Sequence, residues 1–242
     1  MPTKREAIRI ERRRRQARRK TVQFIAIGIV ALAVIVVITL IVVSSSRSNT
    51  GTGSAATLAA YEKANSATPI LVGTKQYNNA PPITIDQTKQ YFATVKMAKG
   101  GEFIIQLYPD KAPITVNSFV FLAQRKFFDG TTFHRVLEGF MAQGGDPTGT
   151  GSGGPGYQFS NEQNDLQFDK AGVVAMANSG PNANGSQFFI MFGPYALSES
   201  DYTIFGQVTS GMDVVNGLTR RDPTQNPTFT GDAIESVTIT VK

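Results

Sequence analysis

The chain has 242 residues, with 24 lysines and arginines against 18 aspartates and glutamates, for a formal charge of +6. It has no cysteine, no tryptophan and one histidine, which excludes disulfides, thiolate nucleophiles and cysteine-based metal sites. The positive charge is local: residues 1–20 carry ten basic and two acidic side chains, leaving 14 basic and 16 acidic beyond them. A basic nucleic-acid-binding domain therefore does not set the charge balance.

Taken in chain order, residues 1–20 read as a basic cytoplasmic tail. Residues 24–43 follow as a run of twenty residues without a charge. At the rise of a helix such a run spans about 30 Å, the thickness of a bilayer's hydrocarbon core. Valine and isoleucine dominate it and disfavour an isolated helix in water, but in lipid the backbone must satisfy itself and helix wins. Residues 21–43 are therefore expected to be a transmembrane helix. The flanking arginines place the N-terminus inside and the rest of the chain outside, at the cell membrane as a single-pass signal-anchored protein. A cleaved signal peptide is the rival, with residues 44–46 as small cleavage residues, although its apolar region is normally shorter.

Residues 44–86 read as linker. The first part is rich in Ser, Thr and Gly. Residues 57–64 are alanine-rich and could form two helical turns. Pro69 and the sequence Asn78-Asn79-Ala80-Pro81-Pro82 break any continuing element. The folded domain is placed at 87–242. Within it Tyr91–Met97 and Glu102–Leu107 read as a hairpin joined through Lys99-Gly100-Gly101. Pro113 suits the first turn of a helix reaching about Gln124. Short β-like runs follow at 173–177, 186–192, 203–208 and 237–241, and a short helix at 213–216 is stopped by Gly217. Mostly short strands with few helices argue for a mainly β barrel or sandwich.

Two segments carry more than periodicity. The first is Phe133-His134-Arg135-Val136-Leu137-Glu138-Gly139-Phe140-Met141-Ala142-Gln143-Gly144-Gly145-Asp146. The second is Met176-Ala177-Asn178-Ser179-Gly180-Pro181-Asn182-Ala183-Asn184-Gly185-Ser186-Gln187-Phe188-Phe189-Ile190. Both resemble the signature segments of the cyclophilin family of peptidyl-prolyl cis-trans isomerases, and the resemblance covers roughly 88–242. It implies an eight-stranded antiparallel β-barrel capped by two helices, with a substrate groove on its outer face. It implies that Arg135 stands beside the isomerising bond and that Gln143 bonds a substrate carbonyl. Phe140, Met141, Phe189 and Leu197 would wall a proline pocket. Ala177, Asn178 and Gln187 would line the groove for residues preceding the proline.

The residue types suit the chemistry. A peptide bond resists rotation by about 18–20 kcal/mol because of C–N resonance. No bond is broken, so neither nucleophile, metal nor cofactor is required. The catalyst must bind the twisted amide better than the planar one. Twisting makes the proline nitrogen basic, and a guanidinium aimed at it stabilises that state alone. Taken singly, each of these residues has an ordinary role: the Phe and Met side chains as core, Arg135 as a solvated cation, Gln143 and Asn178 as turn residues. Their joint placement in the two motifs favours the functional role. His134 has no second His or Cys as partner and reads as structural.

The segment from Gly149 to Gly154 matches G-x-G-x-x-G, but Pro155-Gly156 follows and no helix pattern does, so a dinucleotide site is rejected. It resembles instead the glycine-rich loop of bacterial-type cyclophilins. The chain departs from many family members at the groove's rim, where it lacks a tryptophan. Tyr195-Ala196-Leu197-Ser198 occupies that region, and Tyr202 stands where a histidine would be. Tyr202 is expected to supply an aromatic wall. These departures leave cyclosporin binding open but weak, and put it in doubt more than catalysis. The expected partners are proline-containing polypeptides of exported or envelope proteins and the membrane, not nucleic acid. A binding module that holds proline segments with little turnover is the alternative, motivated by the altered rim at 196–202.

Overall fold

The computed structural model describes residues 53–242. The basic tail, the predicted span and the first part of the predicted linker lie outside them. Among the described residues no helix is long and apolar enough to cross a membrane.

The sheet is built from residues that alternate in burial. Strand β3 (Tyr91–Met97) and β4 (Glu102–Leu107) bury every second side chain, as a pleated strand with one covered face does. They pair antiparallel from Tyr91↔Leu107 to Lys96↔Glu102. Helix α2 (Pro113–Gln124) begins on its proline and buries most of its residues. Its N-cap residue, Ala112, offers no side-chain acceptor. Glu162 supplies one from a distant loop, accepting from Ile114 N at 2.9 Å, Thr115 N at 2.7 Å and Thr115 Oγ1 at 2.7 Å. A carboxylate is favoured at that end of a helix.

Five short segments follow α2: β5 (Thr132–Phe133), β6 (Arg135–Leu137), β7 (Met141–Gly144), β8 (Val173–Asn178) and β9 (Asn184–Met191). Then come β10 (Ile204–Ser210), helix α3 (Met212–Asn216) and β11 (Asp232–Val241). The strand order is β5-β11-β3-β4-β10-β8-β9-β7-β6, and its neighbours pair antiparallel throughout. The two outermost segments, β5 and β6, are consecutive in the chain and separated only by His134. A bridge between Thr132 and Asp146 joins β5 to the end of β7. The sheet thus curls into a nearly closed barrel. The nine segments reduce to the expected eight when β5 and β6 are counted as one strand broken at His134.

The interior is aromatic. Phe103, Phe119, Phe127, Phe128, Phe133, Phe188 and Phe205 contact one another at centroid separations of 4.8–6.3 Å. Phe119 brings α2 into this cluster. A second, smaller apolar cluster lies on the opposite face of the same strands. On β9, Phe188 and Ile190 point into the main core while Phe189 and Met191 join the second cluster. On β8, Val174 and Met176 point inward, Val173 and Ala175 outward. A sheet covered on both faces explains why these strands read as unbroken apolar runs rather than alternating ones.

The segment expected to be linker up to residue 86 is, from Gly53 on, part of the folded body. Helix α1 (Gly53–Ala64) exceeds the two turns anticipated and buries Tyr61, whose hydroxyl donates to Pro81 O at 2.8 Å. A small hairpin, β1 (Leu71–Gly73) and β2 (Gln76–Tyr77), follows. Tyr77, Ala80 and Ile85 join the main core. Asn117 of α2 then fixes the chain by donating to Pro82 O and accepting from Thr84 N, both at 2.9 Å. The prolines and asparagines that suggested a linker are turn residues of a segment whose tyrosines pay for its ordering by burial.

Candidate active site

Arg135 and Gln143 face each other across the β6–β7 hairpin. The turn at Glu138-Gly139 closes through Phe140 N to Leu137 O at 3.1 Å, with Gly139 at φ +67°. A non-glycine residue would strain there. This turn returns Phe140 to Arg135, whose guanidinium carbon lies 5.8 Å from the ring centroid. Arg135 donates to Gln143 Oε1 at 3.5 Å, and Gln143 Nε2 donates to Gln187 Oε1 at 2.9 Å. Gln187 Nε2 in turn donates to the carbonyls of Gly151 and Gly153, at 3.0 and 2.9 Å. Arg135 makes no ion pair among the described residues. The result is a polar row on β6, β7 and β9 that ends in a half-buried guanidinium, which forms no close ion pair but is near enough to Asp222 to help lower that carboxyl's pKa.

Alongside runs the second apolar cluster. Met141 and Phe189 are 1% and 4% exposed, so they form its floor rather than its walls. Phe140, Leu197, Tyr202 and Ala177 are partly buried around it. Tyr202 sets its ring edge-on to Phe189 at 5.4 Å. Expected residues from four separate stretches thus converge on one face. Asn178 stands apart from this apolar face. Its amide donates to Asp201 O at 2.7 Å, and its Oδ1 accepts from Gly180 N at 3.1 Å, so its side chain braces the neighbouring loops. Ala177, Asn178 and Gln187 border a cavity of about 750 Å³ that Gln143 also lines.

Some contributors went unanticipated. Phe168 stacks on Phe189 at 5.9 Å, and Tyr195 tilts over Phe140 at 4.3 Å. Tyr195 was visible only as a substitute for the missing tryptophan. Asp146 anchors the glycine-rich loop, accepting from Thr148 N, Gly151 N and Gly153 N at 2.7, 2.6 and 3.1 Å. Aspartate ahead of Thr-Gly-rich sequence is the turn signal that marks such an anchor. Burial pushes the Asp146 carboxyl up, but bonds from Thr148, Gly153 and Gly151 outweigh it and hold it below the usual carboxylate value. His134 is buried with Nδ1 unpartnered, and burial keeps its pKa below the ordinary histidine value. A neutral, enclosed imidazole fits the structural role assigned to it.

The family model for cyclophilin type peptidyl-prolyl cis-trans isomerases matches residues 92–239. The chain belongs to this family. Its cyclophilin domain is 50% identical over 128 residues to a Rhizopus delemar peptidyl-prolyl cis-trans isomerase-like 1, covering 50% of this chain and 78% of that one. It is 42% identical over 171 residues to peptidyl-prolyl cis-trans isomerase B of Streptomyces anulatus, covering 62% of this chain and 97% of that protein. A Cryptosporidium parvum cyclophilin crystallised in the presence of the dipeptide Ala-Pro is similar in structure. Its TM-score is 0.56 at 30% identity, covering 62% of this chain and 98% of that one. The cyclophilin match begins at residue 92, so α1 and the β1–β2 hairpin lie outside it.

Proposed function

We propose that this cyclophilin isomerises X-Pro bonds of exported or envelope proteins, using Arg135 to stabilise the twisted amide. The observation that carries this is the half-buried Arg135 guanidinium, free of any close ion pair among the described residues, at the end of the Gln143–Gln187 row and beside an apolar floor of Met141 and Phe189. The proline ring would rest on that floor, between Phe140, Leu197 and Tyr202. The peptide preceding it would run past Ala177, Asn178 and Gln187. Gln143, steadied by Gln187, would hold a substrate carbonyl. As the C–N bond twists, the proline nitrogen gains a lone pair. Arg135, half-desolvated and already oriented by Phe140 and Gln143, offers that lone pair an N–H. The interaction grows only in the twisted state, so it lowers the barrier rather than tightening ground-state binding.

The test is an isomerisation assay with proline peptides on wild type and Arg135→Ala. Loss of one donor aimed at the developing charge is worth about 10²-fold in kcat/KM. Equal rates for the two proteins would overturn the mechanism. Peptide binding by wild type without rate enhancement would favour a binding module. Lys in place of Arg135 should restore little, because an ammonium lacks the planar fork.

Residues 1–43 carry the proposed topology: an arginine-rich flank inside, a single span, and the catalytic domain outside, tethered to the membrane. Its support is the twenty uncharged residues at 24–43 beside the ten basic ones. Digestion of the C-terminal domain by protease added to intact spheroplasts is the expected result. Protection until lysis would overturn it. The missing rim tryptophan supports weak cyclosporin binding.

A further inference from the structure

The cavity beside Gln143 and Gln187 has one wall that does not come from the matched cyclophilin region. Gln76, on β2, lines it together with Asn178 and Gln187. The hairpin bearing Gln76 is pinned to the groove's own loop. Gln76 Nε2 donates to Gly154 O and Tyr77 N donates to Pro155 O, both at 2.7 Å. The Tyr77 ring packs edge-on against Phe121 of α2 at 5.1 Å, and Lys75 Nζ donates to Asp129 O at 2.6 Å. Gly156 is where the two segments touch. A Cβ there would strike the Tyr77 carbonyl, its amide nitrogen at 2.9 Å and Gln76 Oε1 at 3.1 Å, on a backbone at φ +91°. The loop and the hairpin are therefore fitted to each other.

The same loop reaches the reaction centre. Its Gly151 and Gly153 carbonyls hold Gln187, which holds Gln143, which receives Arg135. Gln76 Oε1 accepts no hydrogen bond among the described residues, and none of the residues lining the cavity carries a formal charge. A substrate side chain placed there meets amides, hydroxyls and carbonyls but no counter-ion, so a charged group would be desolvated without compensation.

We propose that Gln76 determines substrate specificity in this cyclophilin. The 71–77 hairpin extends the groove, and the Gln76 side-chain carbonyl receives a hydrogen bond from an uncharged stretch of polypeptide several residues before the proline. This rests on the proposed isomerase reading for the direction in which the chain runs. It adds a contact that a short X-Pro peptide cannot reach.

The experiment uses the full chain, wild type and Gln76→Ala, with two substrates: a tetrapeptide with two residues before the proline, and a peptide with five uncharged residues before it. Loss of one hydrogen bond to a neutral acceptor corresponds to a change of about two- to tenfold. Gln76→Ala should raise KM for the longer peptide by that factor, leave kcat unchanged, and leave the tetrapeptide unaffected. The longer peptide with glutamate at the position several residues before the proline should bind more weakly than its glutamine counterpart, and equal affinity would overturn the uncharged preference. Equal effects of Gln76→Ala on both peptides would reduce the hairpin to a structural support and overturn the proposal, as would no effect on either. Affinity of the two labelled peptides, read by fluorescence anisotropy, gives the same comparison without turnover. Inactivity of wild type would therefore count against the isomerase reading, and a length-independent affinity against Gln76. Gly156→Ala, which displaces the hairpin from the loop, should reproduce the Gln76→Ala pattern.

Discussion

Replacing Asp146 by asparagine tests how the groove's loop is held. Asp146 is fully buried, and its two oxygens take four hydrogen bonds: Thr148 N at 2.7 Å and Thr148 Oγ1 at 2.8 Å on one, Gly151 N at 2.6 Å and Gly153 N at 3.1 Å on the other. An asparagine of the same shape does best by turning its NH₂ toward Thr148, whose hydroxyl can accept from it; the Thr148 N–H then loses its acceptor, and Gly151 and Gly153 face a neutral oxygen instead of a charged one. Bonds to a charged acceptor are worth about 1.5–3 kcal/mol each, and water reaching this exposed loop recovers part of that. A net loss of about 2–3 kcal/mol follows, or roughly 4–12 °C in Tm for a domain of this size. The pH dependence fixes the cause. The folded Asp146 carboxyl sits below its ordinary value. Its contribution is therefore complete above about pH 4, the unfolded value, and is lost as pH falls through the folded one. Thermal melts followed by circular dichroism should show a wild-type advantage at pH 7 that narrows below pH 4. A gap that stays constant down to pH 2.5, or no gap at pH 7, would refute the reasoning. Because Gly151 and Gly153 hold Gln187, the asparagine variant should also show a raised KM.

Two further outcomes are expected. Tyr61→Phe leaves the buried Pro81 carbonyl with only the long Asn117 Nδ2 bond at 3.5 Å and should cost about 1 kcal/mol, measured by urea unfolding with isomerase activity intact; an unchanged midpoint would mean that the Tyr61 hydroxyl adds nothing to the fold. His134 is held neutral by burial, so kcat/KM should stay flat from pH 8 to pH 6, and a rate following a single titration near pH 6.5 would contradict its structural role. The same depressed pKa means that the stability it contributes is present above about pH 6.5 and declines as the pH falls toward the folded value.

The helix from Pro113 to Gln124 and the hairpin Tyr91–Met97 with Glu102–Leu107 were legible from the sequence because each is local: a proline at a first turn, two alternating runs around a Gly-Gly turn. β5, β6 and β7 were not legible as strands. They are two to four residues long, shorter than any periodicity can register, and their pairing is set by the barrel. The strands β8 and β9 were readable as apolar runs but not as two-faced, since the second cluster covering them comes from distant residues such as Phe168 and Leu197. At the site, Arg135, Gln143 and Phe189 came from motif resemblance, and the Arg135–Gln143–Gln187 row shows why they occur together. Gln76 could not have been found that way. It lies in a stretch whose composition resembles a linker, and tertiary contacts, the packing of Tyr77 on Phe121 and the bonds to Gly154 and Pro155, bring it to the cavity.

The interruption at His134 has a consequence for the edges of the barrel sheet. An open sheet would leave two rows of unpaired amides, and extended polypeptide adds to such rows readily. Here one broken strand occupies both ends of the order. β5 is covered by β11 on one side and meets Asp146 on the other, while β6 is covered by β7 and by the backbone of Arg221. Extended polypeptide approaching these two ends of the barrel sheet therefore finds their backbone groups already engaged.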